Sequence, residues 1–278
     1  DDSVRIKSLG SSFNEINSNT KLSSSRIETN EYILEADEIN YNESELIYEA
    51  SNNIKLKIKD SDYYIFGNSG IYDSNKKITK IYDEPLLKKH IEKDTFYLTS
   101  DTILAYGDEN SISVLRAFHN VKFDRDEFTG KSDSMKFDLE DSTITMFNDP
   151  VVWSGKNQIT SYTISFILSN NNIEEMNLVK NSFIISEDTL KNFNQIKGRQ
   201  MKALFDEKNN IQSISVNGNG ETIYYALDES SENMIGLNYI ICSDLILNFK
   251  ENEISNIIFY KEPQAKLIPP HEISEDDK

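Results

Sequence analysis

Apolar and polar residues alternate with a period of two along most of this chain from Ile27 onward, as in Tyr64/Phe66 and Ile103/Ala105. Alternation of this kind is typical of half-buried β-strands, whose successive side chains point to opposite faces of a sheet. Asn, Asp, Gly and Ser interrupt these runs at regular places, where they favour hairpin turns. The pattern therefore predicts an all-β protein without a long helix.

An aromatic residue followed five positions later by a small or acidic residue recurs every 32 residues. This pattern gives four clear pairs, Tyr32 with Asp37, Tyr64 with Ser69, Phe96 with Asp101 and Phe128 with Asp133. Looser matches extend the series to seven corners, at positions 37, 69, 101, 133, 162, 201 and 244. Self-similarity at a fixed period indicates a repeat architecture in which each unit stacks on its neighbours.

Each repeat is expected to run as strand, corner, strand, hairpin turn and strand. A unit of this length with a hairpin turn suits antiparallel strands better than the shorter coils of a parallel β-helix. The corner Asp has two interpretations. In the preferred one, its carboxylate accepts a hydrogen bond from a backbone N–H two residues on and so fixes the bend. The other is a ladder of calcium sites, although the glycine-rich nonapeptide of calcium-binding β-rolls is missing.

The inward positions of the repeats are large and apolar in every unit. The expected inward residues are Tyr32, Leu34, Ile39, Tyr64, Phe66, Ile71, Phe96, Leu98, Ile103, Phe128, Met135, Phe137, Ile164, Phe166, Ala203, Phe205, Tyr239, Ile241 and Ile246. If the two walls of the repeat close, these residues form a dry core. If the walls stay apart, they line an apolar trough. The sequence leaves both arrangements open.

Three segments are expected along the chain. Residues 1–26 are rich in Ser and Asn, which predicts an irregular N-terminal segment. Residues 27–268 are expected to form a single repeat domain. Residues 269–278 are expected to be a disordered tail. Within the repeats, 187–194 are compatible with one helical turn or a short helix, and 227–238 with a loop.

The charge of the chain excludes some partners. The formal net charge is -18, from 47 acidic and 29 basic residues. Such a chain lacks the general basic surface that neutralises nucleic-acid phosphates, and it is unsuited to an anionic membrane face. The acidity is expected to serve solubility, a basic partner or divalent cations. The single cysteine, Cys242, excludes an internal disulfide and a Cys-rich metal site, and its strand pattern predicts a small core residue.

Residues for catalysis are not grouped in this sequence. His90, His119 and His271 are scattered, and no nucleophile, phosphate-loop or metal motif accompanies them. We therefore expect no enzyme, no catalytic residues, no cofactor and no metal site. A β-helix that acts on polysaccharides is kept as an alternative class, because carboxylates are numerous enough to supply a catalytic pair.

The repeats resemble those of the OstA/LptA-like family of lipopolysaccharide-transport proteins. The family repeat is apolar–x–[Gly/Ser]–x–x–[Asp/Met]–x–apolar–x–[Tyr/Phe], followed by a turn and an Asn-Val or Gly-Asn-like pair. Here it appears in residues 96–106 with His119-Asn-Val121, and in residues 198–205 with 216–220. The ending over residues 259–270 is similar to the C-terminal portion of large OstA-like proteins.

The resemblance implies an elongated open β-jellyroll, a V-shaped stack of antiparallel strands with an apolar groove. It implies a Gram-negative periplasmic protein that carries the acyl chains of lipopolysaccharide towards the outer membrane, and whose signal peptide is absent from this sequence. The implied partners are the jellyroll domains of inner- and outer-membrane transport components, or another copy, joined through edge strands near residues 27–35 and 254–268. The N-terminal edge is the expected partner-accepting side, because Pro263, Pro269 and Pro270 blunt the C-terminal edge. A structural or adhesive β-solenoid with a closed core and no lipid is the alternative.

The residues predicted to line the lipid-binding groove follow from the inward positions of the repeats. They are Tyr32, Leu34, Tyr64, Phe66, Phe96, Leu98, Ile103, Phe128, Met135, Phe137, Ile164, Phe166, Phe205 and Ile246.

Overall fold

The structure is a computed structural model that describes residues 5–14, 18–59, 61–91, 94–107, 111–125, 128–207, 210–228, 230, 233–250 and 253–274. It is 78% strand, and every strand pairing with a described register is antiparallel. The all-β prediction is therefore confirmed. The chain divides into two compact units, Asp1–Thr143 (unit 1) and Ile144–Lys278 (unit 2).

Unit 1 is built from strands β1 to β12. Their bounds are Arg5–Lys7, Gly10–Asn14, Asn19–Glu28, Tyr32–Asn42, Ile47–Ile58, Tyr63–Asp73, Ile78–Tyr82, Leu86–Ile91, Asp94–Thr99, Thr102–Gly107, Ile112–Arg125 and Phe128–Asp138.

The long strands of unit 1 bend at mid-length, and shorter pairs such as β7 and β8 take the place of one bent strand. Both β7 and β8 pair with β6, one on each side of its bend. One repeat thus contributes two antiparallel strands, each with a bend.

Unit 2 is built in the same way from strands β13 to β22 and a short 3₁₀ helix. Their bounds are Thr143–Phe147, Val151–Ser154, Asn157–Thr160, Thr163–Ser169, Asn172–Glu187, Phe193–Phe205, Ile211–Leu227, Met234–Lys250, Glu253–Tyr260 and Gln264–Ile268, with the 3₁₀ helix at Pro270–Glu272. The buried residues again alternate with exposed ones along each strand.

The bends are made by pairs of consecutive residues with positive φ. The described residues contain seven such pairs at bends: 52/53, 83/84, 119/120, 148/149, 180/181, 218/219 and 261/262. Asn and Asp are common in them, as expected for residues that tolerate the left-handed region. The register of the paired strands shifts at these points, for example between Ser51 and Ile54. Seven bends agree with the seven repeats predicted from the sequence.

The corner carboxylates are held by the neighbouring strand. Asn53 donates from Nδ2 to Asp37 at 2.6 Å, and Asn120 donates to both carboxylate oxygens of Asp101 at 3.0 and 3.2 Å. The expected bond from a backbone N–H two residues on is therefore wrong for these two corners. In both cases a residue of the left-handed pair bonds to the corner carboxylate that precedes it along the chain, so these two bends are fixed between neighbouring strands.

Hairpin turns lie where Asn and Asp predicted them. Asn42 Oδ1 accepts hydrogen bonds from the backbone N–H groups of Ser44 and Glu45 at 3.0 and 3.1 Å. Asp73 caps the next turn in the same way, with bonds from Asn75 and Lys76. A tight turn leaves some backbone N–H groups without a backbone acceptor, and these side-chain oxygens accept their hydrogen bonds instead.

Several local expectations are corrected by the strands. The N-terminal segment forms strands β1, β2 and β3 in its described part, because β3 pairs along β4 and covers it. No helix forms over 187–194, where Asp188 caps a turn between two long strands. The expected loop over 227–238 shrinks, since β20 begins at Met234.

The two chain ends also differ from expectation. The edge predicted near 27–35 is wrong, because β4 lies between β3 and β5. At the other end, β21 and β22 each pair with β20 alone, which leaves an edge in the predicted region 254–268. The predicted tail contains the 3₁₀ helix, and residues 275–278 lie outside the described residues. The three predicted segment boundaries remain predictions.

Candidate functional site

The interior of unit 1 lies between two walls formed by its bent strands. We define the front wall as residues 32–36, 54–58, 63–67, 86–91, 94–99, 121–125 and 128–132. The back wall is residues 39–42, 47–51, 69–73, 78–82, 102–107, 112–118 and 135–138. Alternate residues of both walls are buried on the inner face. Because each strand bends between the walls, the two buried faces turn towards each other.

Aromatic side chains join the two walls. Phe137 of the back wall meets Phe96 and Tyr63 of the front wall, with ring centroids 5.6 and 6.3 Å apart and edge-on geometry. Tyr32 of the front wall meets Tyr72 of the back wall at 6.0 Å. Edge-to-face contacts at these distances are favourable. The interior is closed at these residues by side-chain packing.

Most of the predicted groove residues of unit 1 lie on this inner face. Leu98 and Ile103 are 1% exposed, and Phe137 is 2% exposed. Buried with them are Tyr32, Leu34, Phe96 and Met135. Phe128 occupies an inward position at the end of its strand and is half-buried. The sequence pattern thus placed one continuous set of side chains on the inner face.

Tyr64, Phe66 and Ile246 do not face the interior. The buried residues beside them are Tyr63 and Ile65 in β6, and Leu245 and Leu247 in β20. The same error affects other residues expected to be inward, namely Ile71, Tyr239 and Ile241. In β6 the error arises because the repeats are not evenly spaced. The first inward positions after the bends are Ile39, Gly70, Ile103 and Met135, so Gly70 comes one residue earlier than a constant spacing of 32 predicts. A shift of one residue moves a whole strand pattern to the opposite face.

The outward rings of β6 are covered by lysine side chains. Lys55 Nζ and Lys57 Nζ lie 5.9 and 5.6 Å from the ring centroid of Tyr64. Lys88 Nζ lies 5.1 Å from the centroid of Phe66. Ammonium groups over aromatic faces are stabilising, and the lysine stems also shield the rings from water. These aromatic residues therefore have a structural explanation on the outer face.

The front wall ends in a row of inward residues beside the turns, which we call the mouth row. Its members are Tyr32, Ile58, Tyr63, Lys89, Phe96, Arg125 and Phe128. Lys89 is opposite both Tyr63 and Phe96, and Arg125 is opposite Phe128. Two cations therefore occupy inward positions that are apolar on the neighbouring strands. The sequence analysis missed them, although their signal was present: each lies two residues after an inward apolar residue, Leu87 or Phe123.

The electrostatics of the mouth row are set by burial and like charge. Burial lowers the pKa of Lys89, and the nearby Arg125 guanidinium lowers it further, while Asp62 acts in the opposite direction. Burial raises the pKa of Tyr63, and Arg125 offsets part of that rise. Arg125 Nε donates to Asp94 Oδ2 at 3.2 Å. The row thus holds two cations and one directly bonded carboxylate.

Unit 2 has an interior of its own. Ile164 is fully buried, and Phe166 and Phe205 are buried with it, as predicted. Cys242 is also buried, and burial raises the pKa of its thiol, which agrees with a small core residue. A pocket of about 360 Å³ lies beside Val216, Leu245 and Tyr260, near the C-terminal edge.

Two other kinds of site are absent from the described part of the chain. No helix there has the length and apolar character needed to cross a membrane. No group of three or more His, Cys, Asp or Glu side chains in those residues is arranged to hold a metal ion.

Comparison with known proteins identifies a related family. Residues 88–171 match the family described as LptA/(LptD N-terminal domain) LPS transport protein. No curated protein matches the chain. One similar solved structure is LptH, the LptA homologous periplasmic component of the lipopolysaccharide transport device of Pseudomonas aeruginosa. It has 7% identity and a TM-score of 0.19, and the alignment covers 62% of this chain and 80% of LptH. That TM-score carries no argument. The family match supports the resemblance over residues 88–171.

Proposed function

We propose that this chain is a member of the OstA/LptA-like lipopolysaccharide-transport family and that it carries the acyl chains of lipopolysaccharide between its two walls. The family match supports a role in lipopolysaccharide transport. The observation that carries the finer proposal is the inner face of unit 1, where every long strand contributes apolar side chains to one shared surface. The interior of unit 2, with Ile164, Phe166 and Phe205, is proposed to serve in the same way.

Binding requires the walls of unit 1 to separate. Among the described residues, the far ends of the two walls meet through side chains such as Tyr32 and Tyr72, and no backbone hydrogen bond joins them. Separation would break three aromatic contacts, each worth about 0.5–1.5 kcal/mol. Burial of one acyl CH₂ group returns about 0.8 kcal/mol. About six buried CH₂ groups would therefore offset the loss of these contacts, and an acyl chain contains more.

The closed packing itself favours the alternative function. Leu98, Ile103 and Phe137 are almost fully buried by the protein's own side chains. A structural β-solenoid would have this kind of sealed core and would bind no lipid. The two functions differ in one measurable property, which is whether the inner face can be reached by an acyl chain.

Photocrosslinking with lipopolysaccharide distinguishes them. A photoreactive phenylalanine analogue replaces Phe96, which lies on the inner face near the mouth. The matched control places the same analogue at Tyr97, the next residue, which points outward and is 40% exposed. The lipid-carrying function predicts crosslinks from position 96 and none from 97. Crosslinks from 97 alone, or from neither position in a folded protein, would favour the solenoid.

The C-terminal edge is the proposed surface for other jellyroll domains. Among the described residues, strand β21 pairs with β20 alone, so its other backbone side is an edge. Ile258 and Tyr260 are exposed on it, at 41% and 43%. Strand addition at such an edge supplies backbone hydrogen bonds with little sequence requirement. The partners proposed are the inner- and outer-membrane transport components or a second copy, and the proposed location is the periplasm. No enzymatic activity is proposed.

A further inference from the structure

The mouth row of unit 1 carries more positive charge than its apolar surroundings explain. Lys89 Nζ lies 4.8 Å from the ring centroid of Tyr63, and no described carboxylate is within ion-pair distance of it. Arg125, on the other side of Phe96, has a side chain only 17% exposed and bonds to Asp94 through Nε. Arg125 thus has a bonded carboxylate and Lys89 has none among the described residues. Partly buried cations repel each other and lose hydration, so the arrangement favours a further anion beside Lys89.

We propose that Lys89 and Arg125 form a site for a phosphate monoester at the mouth of unit 1. The proposal rests on the proposed function: the phosphate belongs to the head group of the lipid whose acyl chains lie between the walls. Arginine binds phosphate through its planar N–H groups, and lysine acts as a point charge beside it. The ring of Tyr63 lies against Lys89, and Phe96 is opposite Lys89 on the next strand.

The position of the cations suits an amphipathic ligand. The next inward residues of the front wall, two positions from Lys89, Phe96 and Arg125, are buried and apolar. They are Leu87, Leu98 and Phe123. A ligand with its phosphate at the mouth row would therefore place its chains against these residues. The site would thus set the direction in which the lipid enters. It also provides local positive charge in a chain with net charge -18.

Acidic residues near the site limit which anions bind. Asp94 already bonds to Arg125, and Asp62 influences Lys89 through its charge. Residues 92–93 and 126–127 lie outside the described residues. A doubly charged phosphate monoester competes with these carboxylates better than a singly charged anion, because its attraction to the two cations is larger.

The test compares Lys89→Met with Lys88→Met. Both variants remove one lysine from β8, but Lys88 points to the outer face over Phe66 and Tyr97. The probes are bisphosphorylated lipid A, the same lipid after enzymatic removal of its phosphates, and inorganic phosphate. Binding is measured by titration, and thermal unfolding shows that each variant is folded. Lys89→Met is expected to melt no lower than the original protein, because it removes a partly buried charge.

The proposal predicts that Lys89→Met weakens binding of phosphorylated lipid A about ten-fold. It predicts no change for the dephosphorylated lipid and none for Lys88→Met. A third result would separate the two proposals: neither lipid binds, inorganic phosphate binds, and Lys89→Met but not Lys88→Met abolishes phosphate binding. In that case the anion site stands and the lipid function fails. If lipid A binds equally with and without phosphates, or both variants behave like the original protein with every probe, the anion site is overturned.

Discussion

Truncation of Phe137 tests whether the two walls of unit 1 are packed against each other. This side chain is 2% exposed and contacts the rings of Phe96 and Tyr63 across the interior. Phe137→Ala removes the ring and leaves a cavity between the walls. We expect a loss of about 3–5 kcal/mol in the free energy of unfolding, the usual cost of a buried Phe→Ala change. Two aromatic pairs, at about 0.5–1.5 kcal/mol each, account for part of it.

Two further variants separate packing from other effects. Phe137→Leu keeps an apolar side chain but loses both ring contacts, and should cost about 1–3 kcal/mol. Tyr97→Ala removes an exposed ring from the outer face, which leaves no cavity, and should cost less than about 1 kcal/mol. Urea unfolding followed by circular dichroism measures all three. The curves are fitted without assuming one transition, because the chain has two compact units.

The contrast between the inner and outer rings decides the outcome. If Phe137→Ala and Tyr97→Ala cost the same, the walls do not share a packed interior, and the assignment of the inner face fails. If Phe137→Ala is costly but also raises lipid binding, the cavity has lowered the cost of separating the walls. That second result would agree with the energies worked out for the aromatic contacts.

Three further changes test the bends, the core and the C-terminal edge. Asn120→Ala should destabilise more than Asn120→Gly, by about 1 kcal/mol in urea unfolding, because both lose the bonds to Asp101 but only Gly suits a φ of 53°. Equal losses would contradict a strained bend. Cys242, buried and with a raised pKa, should react with a thiol reagent at pH 8 much more slowly than a free thiol; a fast reaction would show that this core opens. The hydrogen bond from the Lys261 ammonium lowers the pKa of Asp244. The stability that this ion pair adds is therefore present above the ordinary carboxyl pKa and is lost as the pH falls through the lowered pKa of the folded state. The stability difference between the original protein and Asp244→Asn should therefore shrink from pH 6 to pH 3, and a constant difference would contradict the linkage.

The sequence by itself determined the strand class, the antiparallel repeat and most of the inner face. Leu98, Ile103 and Phe137 were identified correctly because a strand buries every second residue, and this property depends only on local backbone geometry. The turns followed for a similar reason, since Asn42 and Asp73 cap them through neighbouring N–H groups.

The tertiary structure decided what local pattern cannot specify. Tyr64 and Ile246 point outward because the bends are not evenly spaced, and one residue of displacement reverses the faces of a strand. The contact of Phe96 with Phe137, and the proximity of Lys89 to Arg125, join residues on different strands. Their distances depend on pairing register and on how far the two walls fold together. Those quantities arise from many long-range contacts at once, so no single stretch of sequence contains them.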